Sequence, residues 1–99
     1  MIKHVVLFKF KAEVRQEAGQ EQLLSLKKEL EMLKVHIPEL KHIEAGINAN
    51  PKEEYDLALL TEFADWQALQ VYVVHPDHQK VAKKIRAILE ERACVDYEF

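Results

Sequence analysis

The spacing of apolar residues switches period several times along this chain, and the order of those switches leaves few folds open. Residues 2–10 alternate, with Ile2, His4, Val6, Phe8 and Phe10 on one face and Lys3, Val5, Leu7 and Lys9 on the other. That is the two-residue period of a strand lying against a core. From Leu23 the spacing becomes three or four, through Leu26, Leu30, Leu33 and Ile37. It predicts a helix over about 18–36 with one apolar stripe, ended by Pro38. Strand character returns over 40–48, where Ile43 and Ile47 oppose Leu40 and His42. Asn48-Ala49-Asn50-Pro51 and the charged run after it read as a loop. A stronger strand follows over 55–63, with Tyr55, Leu57, Leu59, Thr61 and Phe63 against Asp56, Ala58, Leu60 and Glu62. Asp65 is placed to cap a short helix running to about Val74. Pro76, after His75, suits the first position of another helix, which carries Val81, Ile85, Ile88 and Leu89. Residues 93–99 read as a last strand, Cys94 and Asp96 facing away from Val95, Tyr97 and Phe99.

The order β-α-β-β-α-α-β predicts an α+β fold of the ferredoxin-like type, with the second helix of the split βαβ pattern broken in two. A four-stranded antiparallel sheet then carries its helices on one face. Ninety-nine residues suit one domain, residues 1–99. A domain of this size buries roughly two thirds of the surface its unfolded chain exposes. The bare face of such a sheet should be polar. Val5 and Leu7, Ala58 and Leu60, and Val95 and Tyr97 break that rule together. They predict an apolar patch of roughly several hundred Å², more than a monomer usually shows to water. At about 25 cal/mol per Å², covering it is worth on the order of 10 kcal/mol before association costs. A homodimer joined through this sheet face is the expectation.

Net charge is −3, with 14 basic and 17 acidic residues interspersed. No nucleic acid or anionic membrane partner is therefore expected. The single Cys94 cannot close an internal disulfide, and no cysteine pair offers a zinc site. No stretch has the roughly 20 apolar residues of a membrane span, nor the apolar core of a secretion signal. A reducing, cytoplasmic location is expected. His75 and His78 are spaced like a metal pair, but His75 precedes Pro76 and so lies outside the helical geometry that would put both imidazoles on one face. Neither a metal nor another cofactor is expected.

Three segments carry a resemblance: the opening Ile2-Lys3-His4-Val5-Val6-Leu7-Phe8-Lys9-Phe10-Lys11, the junction Tyr72-Val73-Val74-His75-Pro76-Asp77-His78, and the ending Val95-Asp96-Tyr97-Glu98-Phe99. In this order and spacing the chain resembles the stress-responsive dimeric α/β-barrel (Dabb) family over essentially its whole length. The resemblance implies a ferredoxin-like protomer whose sheet joins that of a second copy across a two-fold axis to form a dimeric α/β barrel. The family includes stress-induced plant proteins without an assigned reaction and polyketide cyclases that close an aromatic ring.

The resemblance also implies a cavity between sheet and helices, lined by His4, Leu57, Leu59, Tyr72 and His78. In the family's cyclases a histidine matching His78 and a tyrosine matching Tyr72 line the ligand cavity. On that reading His78 is a general base, since imidazole titrates near neutral pH. Tyr72 donates a hydrogen bond to a developing enolate oxygen. Asp96 either holds the other ring nitrogen of His78 or takes a surface or turn-capping role. Plant cyclases carry a second histidine where this chain has Leu57, which cannot move a proton. Two classes stay open: a binder of a small apolar ligand without turnover, and a cofactor-independent enzyme acting on an aromatic or other small carbonyl compound. His4 reads equally as a satisfied core histidine or a cavity residue. His36 and His42 are expected to face solvent, Trp66 to pack its helix down, and Lys80, Lys83 and Lys84 to form a solvated face.

Overall fold

The computed structural model describes residues 1–15 and 17–99, without the side chains of residues 17 and 18. Its elements are β1 (Ile2–Phe10), α1 (Glu17–His36), β2 (His42–Ile47), β3 (Leu57–Phe63), α2 (Trp66–Val74), α3 (Pro76–Ile88) and β4 (Leu89–Glu98), with a 3₁₀ turn at Ala12–Arg15. The four strands form one antiparallel sheet in the order β2-β3-β1-β4. This is the ferredoxin-like α+β arrangement.

Register follows from the alternation. Pairing His4 with Thr61 and Asp96, Val6 with Leu59 and Cys94, and Phe8 with Leu57 and Arg92 puts all these residues on the helix side. There Ile2, Val6, Phe8, Phe10, Leu59 and Phe63 are buried against the α1 stripe of Leu23, Leu26, Leu30 and Leu33. The opposite face carries the ladders Leu60–Val5–Val95 and Ala58–Leu7–Ala93, with Lys3 between Glu62 and Tyr97. Leu7 is 37%, Val95 62% and Tyr97 44% exposed, so this apolar face has no cover among the described residues.

Local chemistry sets the element ends. The Asp65 carboxylate accepts from the Ala68 amide at 2.8 Å, capping α2. His75 caps α3, its Nδ1 accepting from the Asp77 amide at 3.1 Å, with Pro76 next at the start of the helix. Near the start of α1 the Val14 carbonyl oxygen would lie 1.2 Å from any Cβ at position 19, so only Gly19 admits that approach.

Three expectations are corrected. β4 begins at Leu89, four residues earlier than read, because Leu89 pairs with Phe10 and Arg92 with Phe8. The good helix formers Leu89, Glu90, Glu91 and Arg92 yield to ladder hydrogen bonds along β1. Trp66 does not pack α2 down; at the exposed first turn of that helix it is 52% exposed. Leu40 precedes β2 and is buried at 2%, not turned to its outer face with His42.

Candidate functional site

The inner face of β1 is not sealed by helices along its whole length. Where α2 gives way to α3, a cavity of about 280 Å³ remains between sheet and helices. The sheet supplies His4, Val6, Phe8 and Leu59; α1 contributes Leu30 and α2 contributes Tyr72. From α3 come His78, Ala82, Ile85 and Arg86, and the entry to β4 adds Leu89 and Arg92. The wall is mostly apolar with a few polar groups, the usual composition of a small-molecule pocket.

The break at His75-Pro76 positions His78. Ending α2 there leaves the Val73 carbonyl without a helical donor, and two side chains reach it. His78 Nδ1 lies 3.0 Å away and Gln79 Nε2 2.7 Å away. A carbonyl only accepts, so Nδ1 carries the proton and Nε2 is left as the basic nitrogen of the neutral ring. Burial pushes the His78 pKa below its usual value, with the Val73 bond opposing and His4, Arg86 and His75 adding smaller downward effects.

Tyr72 is fully buried, its ring 5.1 Å from that of Phe63 and 4.4 Å from the His78 imidazole. Its hydroxyl has no hydrogen-bond partner among the described residues. Burial raises the phenol pKa well above the ordinary range, so the group is a neutral donor.

His4 is 8% exposed, and its Nδ1 is hydrogen-bonded to the Asp96 carboxylate, its direct neighbour across β1 and β4. Cys94 lies beside the pair, its Sγ 3.6 Å from both His4 Nδ1 and Asp96 Oδ1. The ligand atoms of His4, Cys94 and Asp96 all fall within 4.8 Å of one another, the spacing of three metal ligands. Burial first, then the Asp96 charge, pushes the pKa of the Cys94 thiol up. His75 and His78 do not converge on a shared ligand; one nitrogen caps α3 and the other bonds Val73.

Of the residues read as a site, the structure brings His4, Leu59, Tyr72 and His78 to one cavity. Two placements are corrected. Asp96 does not hold His78; it holds His4, because the β1–β4 register sets those two opposite each other and the α2 carbonyl takes His78. Leu57 does not line the cavity; at 1% exposure it lies in the core between Phe8 and Ile47 of the flanking strands. Arg86 and Arg92 were missed. The signal was present: Arg86 falls two turns after His78 on α3, and Arg92 alternates with Cys94 and Asp96 on β4.

Residues 2–99 match the model of the stress responsive A/B barrel domain. Among solved structures, a dimeric protein of unknown function with a ferredoxin-like fold from Bacteroides fragilis is 39% identical. It superposes with a TM-score of 0.93 over 99% of this chain and 95% of that one. A dimeric ferredoxin-like protein of unknown function from Thermobifida fusca is 25% identical, with a TM-score of 0.82 over 99% of this chain and 90% of that one. The hydroxynitrile lyase of Passiflora edulis, 17% identical, shares the fold with a TM-score of 0.75 over 97% of this chain and 90% of its own. No curated protein matches.

Proposed function

The chain belongs to the stress responsive A/B barrel domain family, and we propose that it is a homodimer in which each protomer binds a small apolar ligand between sheet and helices. The Tyr72 hydroxyl carries this reading. A buried hydroxyl without a partner costs about 1–3 kcal/mol, and Tyr72, which carries this one, is a residue of the wall of an apolar cavity. A ligand oxygen supplies the missing acceptor, and the apolar wall accommodates the rest of the molecule. Dimerisation is supported by the uncovered ladders of Val5, Leu7, Leu60 and Val95 and by the dimeric state of the relatives. No helix among the described residues is long and apolar enough to cross a membrane. The lone free thiol of Cys94 accords with a cytoplasmic location.

One observation favours a second reading, proton transfer alpha to a carbonyl. His78 presents an unprotonated Nε2 beside a neutral phenol donor, which is the base and oxyanion donor such a step needs. His4, fixed by Asp96, is the competing base.

A titration with 4-hydroxyacetophenone, followed by NMR at the imidazoles, tests both readings. Shifts at His4 and His78 that vanish in Ala82→Trp, which fills the cavity, support binding; shifts elsewhere on the surface defeat it. Exchange of the ketone's methyl protons with D₂O above the buffer rate, lost in His78→Gln, supports catalysis. Binding without exchange leaves the binder reading alone.

A further inference from the structure

The cavity wall contains two arginines and no acid, in a chain with 17 acidic and 14 basic residues. Arg86 comes from α3 and Arg92 from β4, and the two elements join directly at Leu89 without a loop. Both arginines are solvent-exposed members of the wall, so they stand at the mouth of the cavity. Neither is paired with a carboxylate among the described residues, although Lys3, Lys9, Arg15, Lys27 and Lys84 all are. The nearest acid on the inner face of β4, Asp96, is engaged with His4. Two guanidiniums sharing an apolar mouth repel each other, and one anion between them removes the repulsion and gains charge-assisted hydrogen bonds.

Resting on the cavity reading above, we propose that the ligand is an apolar or aromatic carboxylate. Its carboxylate sits between Arg86 and Arg92, and its apolar body is inserted toward Leu59, with an acceptor oxygen at its inner end for the Tyr72 hydroxyl. The planar fork of a guanidinium matches a carboxylate in two parallel bonds, which an ammonium does not. The floor of Val6, Phe8 and Leu59 has no charged group to receive the anion deeper in. Charge is therefore read at the mouth and shape in the interior.

The test uses 2-naphthoate and its neutral isostere 2-naphthamide, titrated calorimetrically at low ionic strength. The carboxylate is expected to bind at least ten-fold more tightly, with the preference shrinking as salt is added. Arg86→Gln combined with Arg92→Gln should bring naphthoate to the level of the amide and abolish the salt dependence of its binding, with the circular dichroism spectrum of the wild type retained. Equal binding of the two probes to the wild type, with both lost in Ala82→Trp, overturns the carboxylate inference and leaves the cavity reading standing. Failure of both probes to bind overturns both readings. A preference that survives the double arginine substitution overturns the assignment to these two residues.

Discussion

The Asp96 carboxylate is bonded to Nδ1 of His4, its partner in the β1–β4 ladder and 92 positions away in the chain. Imidazole in the inner face of a strand is tolerated because this acceptor reaches it from the more exposed edge strand. The bond fixes the Nδ1–H tautomer of His4 and joins the first strand to the last.

Asp96→Ala should therefore lower stability by about 1–2 kcal/mol, since it strands a buried donor whose replacement by water is only partial. His4→Phe combined with Asp96→Ala, which removes both polar partners, should recover part of that loss. Urea denaturation of the three proteins checks it. Equal stability of Asp96→Ala and the wild type would show that the pair contributes nothing to folding.

Tyr72→Phe should separate stability from binding. Removing an unpartnered buried hydroxyl is expected to leave the melting temperature unchanged or to raise it by a few degrees, because no hydrogen bond is lost in the free protein. Affinity for 4-hydroxyacetophenone should fall by about ten-fold, the worth of one hydrogen bond. A large drop in melting temperature instead would mean the hydroxyl is already satisfied.

His78 gives the fold an acid-sensitive limb. Its pKa is lowered by burial from the ordinary 6.5, so below that value the unfolded chain binds a proton that the native ring resists. Its neutral-state contribution is fully present above about pH 6.5 and is lost as the pH falls toward the depressed native pKa. Chemical denaturation between pH 7.5 and 5 should show stability falling, and His78→Gln should flatten that fall. An unchanged slope in the variant would place the acid sensitivity elsewhere.

Leu60→Lys and Leu7→Lys each place a charge on the uncovered sheet face, where Leu60 and Leu7 flank Val5. In the proposed dimer that charge is buried without a partner. Sedimentation should show monomer or aggregate for both variants and dimer for the wild type. A wild type that stays monomeric at micromolar concentration would remove the dimer.

Much of this molecule is decided within a few residues of chain. Alternation alone places Ile2–Phe10 and Leu57–Phe63 as strands with the right faces inward, because strand side chains switch sides at every step. The Asp65 and His75 caps act over two or three positions, and the leucine stripe of α1 over three or four. From these the βαββααβ order, the sheet with one helical face and the apolar outer surface could be read without coordinates. The tertiary structure decided what depends on partners far away. Leu89–Arg92 carries helix-forming residues, yet ladder bonds to β1 draw it into β4, and that change turns Arg92 into the cavity wall. Asp96 could reach either histidine as far as spacing goes; strand register gave it to His4, while the carbonyl freed at the α2–α3 break took His78. Leu57 and Leu59 share one face of one strand, but only Leu59 meets the gap the helices leave, because that gap follows from packing between layers.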